Sequence, residues 1–178
     1  MQATQIILWV LAVALTLSAA ALDWRSRRIP NWLTVPGLLL GLTAHAVLSG
    51  WQGALFALKG AGLALVILLP LVLLRALGAG DWKLMGAVGA MLGPVLFLFV
   101  LFGSILAAGL MAVVEVMRLG RSFETMKNLW TLVKGILYFG LRVDPQISLD
   151  NPKLMKIPFG VAVAMATLVC FCAARWVV

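Results

Sequence analysis

Two aspartates, Asp23 and Asp81, are the residues of this sequence whose type and position best suit chemistry. Only 6 of the 178 residues are acidic, and a carboxylate near a membrane core is costly enough that each one is a candidate functional residue. Asp23 and Asp81 each lie at one end of a long apolar run. If the fold brings them together, the pair suits general acid–base catalysis, because like charges resist joint ionisation and one group then keeps a proton.

Structural roles fit the same two residues. An aspartate at the start of a helix, as Asp81 is expected to be, can act as an N-cap that bonds free backbone N–H groups. Asp23 could be an interfacial charge that is balanced by the basic residues following it, which are Arg25, Arg27 and Arg28. On composition alone, these structural roles and a catalytic role are equally compatible with the sequence.

The glycines before Asp81 favour the catalytic role. Gly78 and Gly80 flank Ala79 directly ahead of the aspartate, and glycine removes side chains where a chain bends or another chain approaches closely. We therefore expect the Asp81 carboxylate to be accessible to an extended peptide, which a cap would not require. The other acids suit structural roles: an ion pair with Arg118 for Glu115, and a solvated surface for Glu124, Asp144 and Asp150.

The composition identifies the elements that must position these residues. Hydrophobic residues make up 63% of the chain and charged residues 11%, with a mean hydropathy of +1.10. Soluble domains have about 45–50% apolar residues and about 25% charged ones, so the sequence excludes a soluble enzyme and indicates a polytopic membrane protein. The net charge of +8 is explained by basic cytoplasmic loops rather than by nucleic-acid binding.

The apolar runs predict an all-α fold with six transmembrane helices in one domain, residues 1–178. The predicted spans are residues 5–22, 34–48, 54–77, 82–92, 94–117 and 157–178, with a cytoplasmic segment at 118–156 that includes an interfacial amphipathic helix at 123–141. An N-terminus outside leaves only Lys59 and Arg175 of the 14 basic residues on the outer side, as the positive-inside rule requires. This topology places both aspartates at the inner face of the membrane.

Other reactive residue types fit structural roles. Cys170 and Cys172 are two positions apart in an apolar run, so they would point in different directions on a helix and act as small hydrophobic residues. His45 lies in the second predicted span, toward the outer side and far from the aspartates, and is interpreted as structural. We expect no metal site and no cofactor.

Three segments resemble motifs of the type IV prepilin peptidases, a family of membrane aspartyl proteases. Gly78-Ala79-Gly80-Asp81-Trp82-Lys83-Leu84 is similar to the family's G-x-G-D-x-K-L motif. The segment from Asp23 to Asn31, an aspartate followed by a basic stretch and Ile-Pro-Asn, resembles its first aspartate motif. Ile157-Pro158-Phe159-Gly160 resembles its C-terminal element, so the likeness covers essentially the whole chain.

The resemblance implies an inner-membrane endopeptidase with its active site facing the cytoplasm. Its substrates would be prepilin-like precursors, which carry a short basic leader, a Gly at the cleavage point and a hydrophobic helix, and which serve pilus or secretion-system assembly. Asp23 and Asp81 would be the catalytic pair, one as general base and the other as general acid, in an order that the sequence leaves open. Gly78, Gly80 and Lys83 would support the motif, Lys83 either by a direct role or by anchoring its helix at the interface.

Departures from the family pattern narrow this hypothesis. The loop after Asp23 is short and has no C-x-x-C motif, which predicts a protease without methyltransferase activity. Short members of this kind are linked to tight-adherence (Flp) pili, and the archaeal preflagellin peptidases are equally short. The presenilin-type and signal-peptide peptidases also use G-x-G-D but pair it with a Tyr-Asp motif. The only tyrosine of this sequence, Tyr138, is followed by Phe139, which excludes that branch. A small ion-coupled transporter using the same aspartates and a non-catalytic scaffold are the alternatives.

Overall fold

Four helices account for almost all of the residues that the computed structural model describes, which are 3–74, 76–118 and 158–176. They are α1 (Ala3–Ser26), α2 (Asn31–Leu73), α3 (Ala79–Arg118) and α4 (Phe159–Trp176). These ranges contain helices and no strand, which confirms the all-α prediction. The amphipathic helix predicted at 123–141 lies outside the described residues, as do Glu124, Asp144 and Asp150.

Length and composition make three of the helices able to cross a membrane. These are α1, α2 and α3, while α4 contains a shorter apolar stretch, Phe159–Ala174. The finding supports an integral membrane protein. Six spans and an outward N-terminus stay predictions, because length and composition do not give the position of a helix in the bilayer or its direction.

A single glycine breaks each of the two longest helices. Gly50 interrupts the 43 residues of α2 with φ of 60°, and Gly93 interrupts the 40 residues of α3 with φ of 77°, directly before Pro94. Glycine adopts such positive φ angles without steric cost, and a straight helix of 43 residues would be about 65 Å long, roughly twice the membrane core. The breaks fall where the sequence predicted turns between spans.

The chain reverses direction at Gly50. A Cβ atom placed on Gly53 would meet the carbonyl of His45, although residues eight positions apart in a straight helix are about 12 Å apart. The His45 side chain lies beside this turn, with its Nε2 atom 3.0 Å from the Met91 carbonyl oxygen. This bond satisfies a carbonyl close to the break at Gly93, so the structure gives His45 a structural contact in agreement with its interpretation.

Helix α3 contacts each of the other three helices, and α2 most extensively. Its residues Leu84, Met85, Val88 and Met91 are almost completely buried. On the α2 side, the backbones of Gly60 and Gly89 touch, since a Cβ atom on either would meet the carbonyl of the other. The first turn of α3, which carries Asp81, is bonded to α2 as well, because Trp82 Nε1 donates a hydrogen bond of 2.9 Å to the Leu65 carbonyl.

Candidate active site

Asp23 lies in the last turn of α1 and is 6% exposed. Its Oδ2 atom accepts a hydrogen bond from the backbone N–H of Gly160, at 2.9 Å. Gly160 is in the first turn of α4, where backbone N–H groups have no partner inside the helix. The positive charge of Arg27, one turn further along the chain, also acts on the Asp23 carboxylate.

Asp81 lies in the first turn of α3, because this helix begins at Ala79 and not at Trp82 as the apolar run predicted. Gly78 occupies the capping position, since its carbonyl accepts a hydrogen bond from the Trp82 N–H at 3.1 Å. The Asp81 carboxylate reaches back to the Gly78 N–H, as the third helical residue does in a capping box. Asp81 is therefore not the N-cap itself, but it does stabilise the start of the helix.

The two carboxylate oxygens of Asp81 differ in their surroundings. Its Oδ1 atom is buried and has no hydrogen-bond partner among the described residues. A buried polar atom without a partner costs about 1–3 kcal/mol, so a structural role alone would not favour this arrangement. A water molecule can donate a hydrogen bond to this oxygen when it is ionised, and when it is protonated it can donate one to a substrate carbonyl.

The fold brings the two aspartates together from different helices. Ile29 contacts both Gly80, the residue before Asp81, and Gly160, whose N–H bonds Asp23, so the two aspartates lie on either side of one buried residue. The charge of Asp23 also acts on the Asp81 carboxyl group. The apolar runs predicted only that the two residues lie at the same membrane face. The structure makes them a pair.

Ile29, in the connection between α1 and α2, packs between the start of α3 and the start of α4. A Cβ atom on Gly80 would lie 2.7 Å from the Ile29 carbonyl oxygen, and one on Gly160 would lie 3.2 Å from Ile29 Cδ1. A Cβ atom on Gly78 would lie 2.9 Å from the carboxylate of Asp81. Gly78 and Gly80 thus make room for groups of this chain, and the access of an extended peptide to Asp81 stays a prediction.

Lys83 connects α3 with the start of α2. Its Nζ atom donates a hydrogen bond of 2.9 Å to Oδ1 of Asn31. Both residues lie in the motifs, but no sequence pattern pairs them, since 52 positions separate them. Ile29 and Gly160 likewise had no predicted role beyond their motifs. The contact favours the anchoring role of Lys83 over a direct catalytic one.

Replacing either partner of this bond is expected to have the same effect. Lys83→Ala and Asn31→Ala should each lower the free energy of unfolding by about 1 kcal/mol, the contribution of one partly solvated hydrogen bond, and the double variant should cost no more than either single one. Thermal unfolding in detergent measures this. Lys59→Ala is the control, because Lys59 is an exposed lysine elsewhere on α2. Additive losses from the two single variants would contradict the pairing.

Within the described ranges, no three His, Cys, Asp or Glu side chains come together as a metal site would need. The groups that can act chemically where α1 ends and α3 and α4 begin include the two carboxyl groups, the backbone N–H groups that bond them, and the charge of Arg27.

Comparison with known proteins agrees with the likeness seen in the motifs. A family model described as the type IV leader peptidase family matches residues 9–113. The matched range includes both aspartates and ends before α4 begins. No curated protein and no solved structure matches the chain.

Proposed function

Because the chain belongs to the type IV leader peptidase family, we propose that it is an aspartyl endopeptidase that removes the short basic leader of prepilin-like precursors. Family membership makes the protein a peptidase. The observation that carries the aspartyl mechanism is the meeting of Asp23 and Asp81 at one end of α1 and α3. An ion-coupled transporter is not favoured by the family match.

The reaction uses the pair in two protonation states. The ionised carboxylate takes a proton from a water molecule, whose oxygen attacks the carbonyl carbon of the scissile bond, while the protonated carboxyl group hydrogen-bonds the carbonyl oxygen. A proton is then delivered to the nitrogen of the leaving peptide as the C–N bond breaks. The two groups share their protons as one unit, and each is held by a backbone N–H, from Gly160 or from Gly78.

The proposed substrate is a membrane-anchored precursor. We place the aspartates at the cytoplasmic face of the inner membrane, in a protein with six spans and an outward N-terminus, because basic residues surround Asp23. Arg25, Arg27 and Arg28 are all exposed there. The hydrophobic helix of the precursor would stay in the bilayer while its leader reaches the aspartates, and the mature product would enter pilus or secretion-system assembly.

The connection between α1 and α2 supports a peptidase without methyltransferase activity. Only residues 27–30 separate the two helices, and this stretch contains no cysteine. Bifunctional members of the family, which also methylate the trimmed pilin, carry a large insert with C-x-x-C motifs between these two helices. This chain has no such insert between α1 and α2. We therefore propose a precursor of the tight-adherence (Flp) type, with the archaeal preflagellins as the second class to test.

Co-expression with candidate precursors tests the proposed activity. The chain should convert a Flp-type prepilin to a shorter form, seen as a shift on a gel and as a new N-terminus by mass spectrometry. A type IV prepilin and a preflagellin are tested in parallel, and a Flp-type precursor with the Gly at its cleavage point replaced serves as the resistant control. Intact precursors of all three classes beside a folded, membrane-inserted protein would overturn the proposal.

A further inference from the structure

The start of α4 contacts Asp23 although α4 lies outside the residues that the family model matches. Gly160 is buried, and its N–H is one of the first N–H groups of α4, which lack a partner within their own helix. Its bond to Asp23 joins residues 137 positions apart in the chain. The contact therefore satisfies two buried polar groups that would otherwise each be costly.

The two aspartates lie in opposite helix environments. Asp81 is in the first turn of α3, where the helix dipole favours a negative charge. Asp23 is in the last turn of α1, where the dipole of its own helix disfavours one. The N-terminus of α4 compensates for this, since its positive end and the Gly160 N–H both point to Asp23.

Space at this contact is limited. A Cβ atom on Gly160 would lie 3.1 Å from both Cβ and Oδ2 of Asp23 and 3.2 Å from Ile29 Cδ1. Contacts this short require the neighbouring group to move by a few tenths of an ångström. A side chain at residue 160 would thus displace the Asp23 carboxylate and lengthen its hydrogen bond.

We propose that the first turn of α4 is a positioning element of the active site, in which the backbone N–H of Gly160 fixes the Asp23 carboxylate and stabilises its negative charge. The inference rests on the proposed function, since it matters for catalysis only if Asp23 is part of the catalytic pair. It makes Gly160 a positioning residue, because it acts on the reaction through Asp23.

Gly160→Ala tests the inference. It should lower kcat for leader removal by about tenfold with KM unchanged, because a displacement of 1 Å can cost as much as 100-fold and this one is smaller. Gly103→Ala is the matched control. Its new methyl group would crowd α4 equally, lying 3.1 Å from Cβ of Ala166, but away from Asp23. We expect Gly103→Ala to leave kcat unchanged.

A double variant separates positioning from folding. Gly160→Ala combined with Ile29→Val makes room at Ile29 but leaves the new methyl group against Asp23. It should recover thermal stability lost in Gly160→Ala and keep the low kcat. Recovery of kcat together with stability would overturn the inference, and so would equal kcat values for Gly160→Ala and Gly103→Ala. Those results would leave the peptidase itself intact, whereas undiminished cleavage by Asp81→Asn would instead reject the proposed function.

Discussion

Asp81→Asn is expected to lower leader removal by about 10³-fold or more, and Asp23→Asn by a similar amount. Each substitution removes a group that must take or give a proton, and general acid–base catalysis contributes about 10²–10⁴-fold per group. The effects should not add in the double variant, because the two groups act as a unit. Cleavage of a co-purified precursor, followed over time by mass spectrometry, measures the rate.

The same variants are expected to fold. The amide oxygen of an asparagine at residue 81 can still accept the hydrogen bond that Gly78 donates to the carboxylate. A neutral amide is also less costly to bury than a carboxylate, so the midpoint of thermal unfolding should not fall. Loss of activity with undiminished stability is typical of a residue kept for function at the expense of stability.

Two further variants make the test specific. Asp81→Glu keeps the carboxyl group but moves it by one methylene, and a misplacement of about 1 Å costs about 100-fold, so its rate should lie between those of wild type and Asp81→Asn. Glu115→Gln neutralises another acid on the same helix, near its far end, and should leave cleavage unchanged. Cleavage at the wild-type rate by either asparagine variant would contradict the aspartyl mechanism.

The sequence was sufficient to predict the class of fold and to mark the two aspartates as candidate site residues. Long apolar runs predict helices regardless of their neighbours, and glycine beside proline marks a break within such a run, as found at Gly93 and Pro94. Rare charges in an apolar chain attract attention by type alone. These signals are local in the chain, which is why they could be read without the fold.

Contacts that depend on the backbone could not be predicted in this way. The group that bonds Asp23 is the backbone N–H of Gly160. Every residue except proline carries a backbone N–H, so no pattern of side chains marks this one. The start of α3 at Ala79 was missed because the apolar run begins later, while the helix begins where Asp81 can bond Gly78. The contact of Gly80 with Ile29 was not predicted, because Ile29 comes from a distant part of the chain.

Of the variants proposed for this protein, Gly60→Ala is expected to lower the free energy of unfolding the most. The added Cβ atom would overlap the carbonyl of Gly89 and lie 2.9 Å from Cα of Gly93. These neighbours are backbone atoms, which cannot rotate away as a side chain can, so α2 and α3 would have to separate. We expect the free energy of unfolding to fall by about 3 kcal/mol, at the upper end of the usual cost of overpacking. Thermal unfolding in detergent and the amount of protein in the membrane both measure this.

Gly62→Ala is the control for this prediction, and its expected effect has the opposite sign. Gly62 is on the same helix two positions later, and a Cβ atom there would have nothing within 4 Å. Alanine is more favourable than glycine in a helix by about 0.5–1 kcal/mol, so this variant should be slightly more stable than wild type. Equal stability of the two variants would contradict backbone contact between α2 and α3.

Loss of the contact between Gly60 and Gly89 should also disturb the position of Asp81 in the active site. The Trp82 side chain donates a hydrogen bond of 2.9 Å to the Leu65 carbonyl, so α2 holds the first turn of α3 directly beside Asp81. Small residues allow membrane helices to approach this closely, and van der Waals contact then takes the place of the hydrophobic effect. Separation of α2 from α3 would remove the support of Asp81 but not that of Asp23, which α4 holds. We therefore expect residual folded Gly60→Ala protein to cleave slowly, through a pair in which only Asp81 is misplaced.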